Sequence, residues 1–203
     1  EPIPSWFSEP KVMDVLYRAY PPRSRRGFVL FFTGLSGSGK TTISQALYHR
    51  LQEIEIASSG RQISTFDGDV VRTHLSKGLG FSRGDRLENI RRIGFVISEV
   101  AKHGGIAMAA AIAPFQEARE DARKMVQSKG GAFIEVFVDT PVSVCSDRDV
   151  KGLYAKASRG EIKLTGVNDP FETPENPELV LDGNAAQVKM SVDKILNYLH
   201  KEG

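Results

Sequence analysis

The sequence predicts an α/β fold in which a central sheet of five mostly parallel strands carries helices on both faces. Short apolar runs alternate with amphipathic segments from residue 27 onward, which is typical of parallel strands connected by helices. A glycine-rich segment separates the first apolar run from the first helix. The length of 203 residues suits one compact domain with a sizeable core.

Each predicted strand is an apolar run of the kind that a buried strand requires. The runs lie at residues 28–32, 62–66, 106–112, 133–138 and 179–181. The predicted helices extend from the glycine-rich segment to about residue 51 and over residues 85–103, 117–127, 142–148 and 185–199. In the helix at 85–103, Ile90, Ile93 and Ile97 fall on one face, which predicts the side that packs on the sheet.

Two segments lie outside this alternation. Residues 150–178 have little apolar periodicity, and a structureless stretch of about 30 residues inside a domain is typical of a functional lid or a disordered segment. Residues 1–26 form a predicted linker with a short docking helix, which Ser8 is suited to cap and Pro21-Pro22 to end. Packing of that helix on its own domain, predicted to span 27–203, is the alternative. Because the chain begins with Glu1 rather than Met, we expect it to be part of a longer protein.

Composition narrows the class of protein. The 27 basic and 25 acidic residues nearly balance, which argues against a nucleic-acid binder. No apolar run approaches the roughly 20 residues of a membrane helix. Cys145 is the only cysteine, which excludes an intrachain disulfide and fits a reducing compartment. We therefore expect a cytoplasmic protein without nucleic-acid or membrane partners.

Residues 34–41 match the P-loop pattern G-x-x-x-x-G-K-[ST] between a predicted strand and a predicted helix. The glycines let the backbone wrap around phosphate oxygens, Lys40 adds a positive charge, and the Thr41 hydroxyl is a ligand for the Mg²⁺ that accompanies ATP. The sequence therefore predicts the P-loop nucleoside-triphosphate hydrolase fold. The predicted ATP-binding residues of the loop are Gly34, Ser36, Gly37, Ser38, Gly39, Lys40, Thr41 and Thr42.

Other nucleotide-binding classes do not fit the sequence. The dinucleotide pattern G-x-G-x-x-G is not met, and the guanine motif N-K-x-D is absent. One short domain also lacks room for a helicase or transporter ATPase core. A small-molecule kinase remains.

The acceptor side is predicted from residues that follow the second strand. Asp67 stands where a sheet's carboxyl ends meet ligands, and it can orient or deprotonate a hydroxyl nucleophile there; an Asp-Gly turn with solvated carboxylates is the alternative. Polar residues near the start of the long helix suit a phosphate or sulfate group, or else form a solvated face with Asp85 and Glu88. Phe81 is suited to stack on a base or to fill a local core. The helix cluster consists of Arg72, Arg86, Asn89, Arg91 and Arg92.

At these residues the sequence resembles adenylylsulfate kinase, a family that phosphorylates the 3′-hydroxyl of adenosine 5′-phosphosulfate (APS). The resemblance covers about residues 27–200, and its motifs occur in one order. They are GLSGSGKTT at 34–42, DGDVVR at 67–72, LGFS at 79–82, DRLENIRRIG at 85–94, FIEVFVD at 133–139, RDVKGLY at 148–154, GEIK at 160–163 and PENPEL at 174–179. Residues 3–23 are similar to the join in fused proteins in which an ATP sulfurylase precedes the kinase.

The resemblance implies roles residue by residue. Lys40 and Asp67 would be catalytic, Thr41 and Asp67 would lie at the metal, and Arg148 would lie near the ATP adenine. Phe81 would stack on the adenine of APS. Arg72, Arg86 and Asn89 would hold the phosphosulfate end of APS. The implied acceptor-binding residues are Asp69, Arg72, Phe81, Arg86, Asn89, Ile112 and Lys163. We also expect a homo-oligomer.

Two segments depart from the family pattern. Ala113, Phe115 and Gln116 stand where the family has Ser, Tyr and Arg, and Leu164 stands in a lid segment one residue shorter than usual in place of an aromatic residue. These changes leave two hypotheses. The chain is an active kinase of sulfate assimilation, or it is a weakened module that binds the nucleotide product and regulates a fused ATP sulfurylase. The intact phosphate loop favours the kinase; a kinase for another nucleotide would require the resemblance to mislead.

Overall fold

The structure is a computed structural model that describes residue 6 and residues 9–19, 25–58 and 60–202. The strands are β1 (Phe28–Thr33), β2 (Ile63–Asp67), β3 (Ile106–Ala110), β4 (Ala132–Asp139) and β5 (Leu179–Asp182). The helices are α1 (Pro10–Ala19), α2 (Lys40–Ala57), α3 (Gly68–His74), α4 (Arg83–Lys102), α5 (Gln116–Ser128), α6 (Val142–Arg148), α7 (Leu153–Ser158) and α8 (Val188–Glu202), with a 3-10 turn at Ala185–Gln187.

The five strands form one sheet in the order β2-β3-β1-β4-β5, and every pair is parallel. β1 is central, and Phe31 lies opposite Ala109 of β3 and Glu135 of β4. Helices cover both faces of this sheet. The predicted fold class is therefore confirmed.

The alternation of side chains along β1 divides the core into two layers. Val29 and Phe31 face α4 and α5, where they pack in a cluster that includes Ile93 and Ile97. The intervening residues face α2 and α8 in a second cluster, which includes Leu30 and Phe32. Because a parallel strand is buried on both faces, its sequence reads as a continuous apolar run. That is why residues 28–32 were predictable as a strand.

Several element boundaries differ from the prediction, and α8 spans Val188–Glu202 rather than 185–199. β3 ends at Ala110 rather than at residue 112, because the chain turns and Ala113 takes a positive φ of 44°. α2 continues to Ala57 instead of ending at about residue 51. The short helices α3 and α7 were not predicted.

The segment at 150–178 is not structureless. It contains α7, and its residues Tyr154, Ala157 and Leu164 are buried in a small core together with Cys145 of α6. Leu35 of the phosphate loop packs against this core. The predicted lid is thus an ordered subdomain that touches the loop.

The amino-terminal helix is present as α1, in which Met13 is buried while Val12 and Val15 are exposed. Its predicted cap, Ser8, and its predicted stop, Pro21-Pro22, lie outside the described residues. Whether residues 1–26 are a linker, and where the domain begins, stays a prediction. In the part of the chain that the structure describes, no helix combines the length and apolar character that crossing a bilayer requires.

Gly94 of α4 permits its close packing against α5. A Cβ atom at residue 94 would lie 3.1 Å from the Cα atom of Ala122 and 3.3 Å from the sulfur of Met125. Gly94→Leu overfills this contact, so we expect a loss of about 1–3 kcal/mol in the free energy of unfolding, measured by urea titration. Gly84→Ala, in the open first turn of the same helix, is the control and should stabilise the protein by about 0.5–1 kcal/mol. Equal stability of Gly94→Leu and the wild type would contradict the close packing.

Candidate active site

The phosphate loop lies between the end of β1 and the start of α2. Gly34 and Gly39 have φ values of 142° and 102°, a region that side chains with a Cβ rarely adopt. A Cβ atom at Gly34 would also lie 2.6 Å from the carbonyl oxygen of Val138. The loop backbone therefore depends on glycine at both positions, as the motif predicts.

Lys40 is buried and bonded to the loop itself. Its Nζ donates to the carbonyl oxygens of Gly34 at 2.9 Å and Leu35 at 2.6 Å, and to Ser38 Oγ at 3.3 Å. Burial lowers the pKa of Lys40 to about 8. The nearby charge of Lys151 also lowers this pKa, whereas the carboxylate of Asp67 opposes the shift. The ammonium group is thus held in place with a weakened preference for its charged form.

The predicted metal and acceptor residues meet at one hydrogen bond. The Thr41 hydroxyl donates to Asp67 Oδ2 at 2.8 Å. Asp67 also caps α3, because its Oδ1 accepts the backbone N–H of Asp69 at 3.1 Å. This local cap fixes the carboxylate at the end of β2. The structure therefore brings Thr41 and Asp67 together.

The oxygen atoms of Thr41 and Asp67 are the kind of ligand that Mg²⁺ prefers. Within residues 6, 9–19, 25–58 and 60–202, no three His, Cys, Asp or Glu side chains form a group that would hold a metal. One hydroxyl and one carboxylate fit a Mg²⁺ ion that takes its remaining ligands from water and from nucleotide phosphates. The donor set thus suits a metal that arrives with the nucleotide.

Lys151 is a site residue that the sequence interpretation missed. Its ammonium group forms an ion pair with Asp69, across the mouth of the phosphate loop. Two neighbours bind the loop backbone: Arg148 Nη1 donates to the carbonyl of Gly37 at 3.1 Å, and the Tyr154 hydroxyl donates to the carbonyl of Ser36 at 2.8 Å. The motif RDVKGLY at 148–154 contains Lys151, but the sequence interpretation assigns a role only to Arg148.

Arg72 lies beside the ring of Phe81. Its guanidinium carbon is 4.5 Å from the ring centroid, and its Nη1 donates to the carbonyl of Gly80 at 2.9 Å. Burial lowers the pKa of Arg72, and the charge of Arg86 lowers it further. Phe81 is 69% exposed, so it is not a core residue. Two neighbouring cations and an exposed ring suit an anion that carries an aromatic group.

Arg86 is engaged inside the protein. Its Nη2 pairs with Asp169 at 2.8 Å, its Nε donates to the carbonyl of Phe81 at 2.8 Å, and its Nη1 donates to Thr165. The alternative of a charged helix face that Asp85 and Glu88 neutralise therefore does not describe Arg86, although Glu88 does pair with Arg92. The guanidinium group of Arg86 instead links α4 to the lid.

Asn89 lies on α4, and Ile112 lies in the turn after β3. Asn89 is buried one turn after Arg86, and its Oδ1 accepts no hydrogen bond from the described part of the chain. Ile112 is half-buried, and its carbonyl accepts a 2.7 Å hydrogen bond from Thr33. Arg92 is not part of the site, because it pairs with Glu88 at 2.9 Å.

The two lid residues singled out in the sequence differ in exposure. Lys163 is exposed, whereas Leu164 is buried in the lid core. A cleft of about 520 Å³ lies between the lid and the loop. It is lined by Leu35, by Val142 at the start of α6, and by residues 166–171.

The departures at 113–116 lie in the turn after β3 and at the start of α5. Phe115 is buried, and the guanidinium carbon of Arg83 lies over its ring, 4.7 Å from the ring centroid. The side chain of Gln116 accepts from Arg119 and donates to Glu120 at 3.2 Å. Gln116 therefore belongs to a network of α5 rather than to the acceptor-facing surface.

Comparisons with known proteins agree with this geometry. The family model described as "Adenylylsulphate kinase" matches residues 26–182. An APS kinase from Mycobacterium tuberculosis, solved in complex with AMPPNP and APS, is 40% identical with a TM-score of 0.79 and covers 86% of this chain and 98% of its own. A hexameric APS kinase from Thiobacillus denitrificans is 42% identical with a TM-score of 0.76, and covers 99% of this chain and 34% of its own.

A curated relative from Emericella nidulans, named sulfate adenylyltransferase, is 46% identical over 202 residues, which is 99% of this chain. The chain spans 34% of the length of that relative. The similarity therefore concerns about a third of a longer protein.

The pKa of Lys40 makes the binding of a nucleoside triphosphate sensitive to pH. Phosphate oxygens favour the charged ammonium and raise its pKa, so binding above about pH 8 must take up a proton. We expect the dissociation constant of AMPPNP to rise about tenfold per pH unit above 8. Calorimetry in buffers of different ionisation heat measures both the affinity and the proton uptake. Lys40→Met should bind weakly without this dependence, and constant wild-type affinity from pH 7 to 9.5 would contradict the lowered pKa.

Proposed function

Because the chain belongs to the adenylylsulfate kinase family, we propose that it transfers the γ-phosphoryl group of ATP to the 3′-hydroxyl of APS. The products are ADP and 3′-phosphoadenosine 5′-phosphosulfate. The observation that carries this proposal is the 2.8 Å hydrogen bond between Thr41 and Asp67. It joins the nucleotide loop to the residue suited to activate a hydroxyl group.

The phosphate loop supplies the nucleotide half of the site. Lys40 and the N–H groups at the start of α2 would hold the β- and γ-phosphates. Thr41 and Asp67 would hold Mg²⁺, which neutralises phosphate charge when it is bound. Arg148 and Tyr154 bind loop carbonyls, and they would keep the loop in register with the lid.

The acceptor half is built from charges and one exposed ring. Arg72 and Arg86 would bind the phosphosulfate group, since their charges disfavour each other until an anion lies between them. Asn89 would contribute its buried amide group to binding of the acceptor. Phe81 would stack on the adenine ring of the acceptor. Asp67 would then orient the 3′-hydroxyl group and accept its proton.

The lid would complete the site after both nucleotides bind. Lys151 would exchange its partner Asp69 for an anionic group of the substrates, because the two side chains are exposed. Lys163 is exposed on the same segment and would close over the nucleotides.

Several wider features belong to the same proposal. A fused ATP sulfurylase would precede residue 1, as the sequence resemblance of residues 3–23 predicts and as the length of the Emericella nidulans relative supports. A homo-oligomer is supported by the hexameric relative. A cytoplasmic location stays a prediction.

Acceptor-dependent release of ADP tests the proposed reaction. The wild type should release ADP from ATP only when APS is present. Asp67→Asn should lower the rate by about 10²–10⁴-fold, the range for loss of a positioned base. Asp193→Asn, an exposed change on α8, is the matched control and should keep the wild-type rate. ADP release that is independent of APS would argue against the proposal, and binding of the product without any turnover would support the regulatory module instead.

The stacking role of Phe81 gives a second test. Phe81→Leu should raise the KM for APS by about two- to tenfold, which corresponds to the energy of an aromatic pair, and leave the KM for ATP unchanged. Phe95→Leu is a suitable control, because Phe95 is another exposed phenylalanine, on α4. If both variants behave alike in steady-state kinetics, Phe81 does not hold the acceptor.

A further inference from the structure

The guanidinium group of Arg119 on α5 has no role in the proposed chemistry, yet its side chain is fully buried. A buried cation is costly unless charged and hydrogen-bonding partners surround it. Three segments supply these partners for Arg119. Packing alone therefore does not explain why a charged side chain occupies this buried position.

The first partner is Glu135 on the central strand β4. Arg119 Nε lies 2.8 Å from Glu135 Oε1, and Glu135 is buried as well. Burial raises the pKa of Glu135, and the charges of Arg119 and Arg123 oppose that shift. Arg123 also pairs with Glu178 at 2.6 Å, so the group of four side chains is balanced in charge.

The second partner is the turn that follows β3. Arg119 Nη1 donates to the carbonyl of Ala113 at 2.7 Å, and Nη2 donates to Gln116 Oε1. Ala113 has a positive φ of 44°, a conformation that needs support from its surroundings. This turn carries Ile112, which is assigned to the acceptor site.

The third partner is Glu172, within the lid. Arg119 Nη2 donates to the carbonyl of Glu172 at 2.8 Å. The backbone N–H of Glu172 donates to the carbonyl of Pro114 at 2.8 Å, and its carboxylate accepts the N–H of Gln116 at 2.7 Å. The preceding residue, Phe171, lines the cleft between lid and loop. The guanidinium thus joins the lid to the acceptor turn.

We propose that Arg119 is a positioning residue that couples the acceptor turn at 112–116 to the lid at residues 171–172. The kinetic part of this inference rests on the proposed function. In this arrangement the lid fixes the position of the turn, and the turn fixes the position of the bound acceptor. A purely structural role would stabilise the fold without affecting one substrate more than the other.

Arg119→Lys tests the coupling. A lysine keeps a positive charge near Glu135, but it lacks the planar fork by which three separate nitrogens of Arg119 contact Glu135, the turn and the lid. We expect the KM for APS to rise about tenfold, as for the loss of one charged hydrogen bond, while the KM for ATP changes by less than about twofold. Arg123→Lys is the matched control on the same helix. It also weakens the pairs with Glu135 and Glu178, but it touches neither the turn nor Glu172, so it should lower only the urea midpoint.

Amide hydrogen exchange of the ligand-free protein tests the coupling without activity. Arg119→Lys should speed exchange at both 112–118 and 170–174, whereas Arg123→Lys should leave 112–118 unchanged. A milder variant, Gln116→Met, removes one partner of Arg119 from a half-exposed position and serves if Arg119→Lys does not fold. It should raise the KM for APS about threefold and speed exchange at 112–118.

The outcomes separate the two proposals. Unchanged exchange at 112–118, or an equal rise of both KM values, would overturn the role of Arg119. If the wild type shows no APS-dependent ADP release, the proposed function fails, and the exchange measurement still decides whether Arg119 joins the turn to the lid.

Discussion

The parallel arrangement of the strands determines the position of every functional segment. In a parallel sheet all carboxyl ends point to the same edge, so the loops that follow the strands meet there. The phosphate loop follows β1, Asp67 ends β2, and the turn with Ala113 follows β3. The lid begins after α6, which follows β4. Segments that are far apart in the sequence therefore become neighbours at this edge of the sheet.

The cations of this edge are partnered by the protein itself. Lys40 donates to loop carbonyls, Lys151 pairs with Asp69, and Arg86 pairs with Asp169. These contacts hold the site in shape, but an anionic ligand must replace them. Its affinity is therefore the difference between two sets of charged contacts, which is smaller than either set alone. A site built in this way favours ligands that carry several anionic groups in the right places over a single phosphate.

The sequence was sufficient where the structure depends on local contacts. The five strands were predictable because their apolar runs are continuous, and the phosphate loop was predictable because its glycines and Lys40 are adjacent. Long-range pairs were not predictable. The Arg119 side chain binds the carbonyl of a residue 53 positions away, and the partner of Lys151 is 82 positions away. Leu164 stands where the family pattern has an aromatic residue, and it is buried with Cys145 and Tyr154, a packing that sequence spacing does not show.

The network around Arg119 also changes the meaning of Gln116. The family pattern has a basic residue at that position, and its loss suggested a weaker acceptor site. In the structure the Gln116 side chain accepts from Arg119, whose charge is paired with Glu135. A second guanidinium at 116 would lie against the first and would have to be turned away or neutralised, because like charges in a partly buried site repel. Gln116 is thus matched to its neighbour, so its difference from the family pattern is compatible with the packing of the turn.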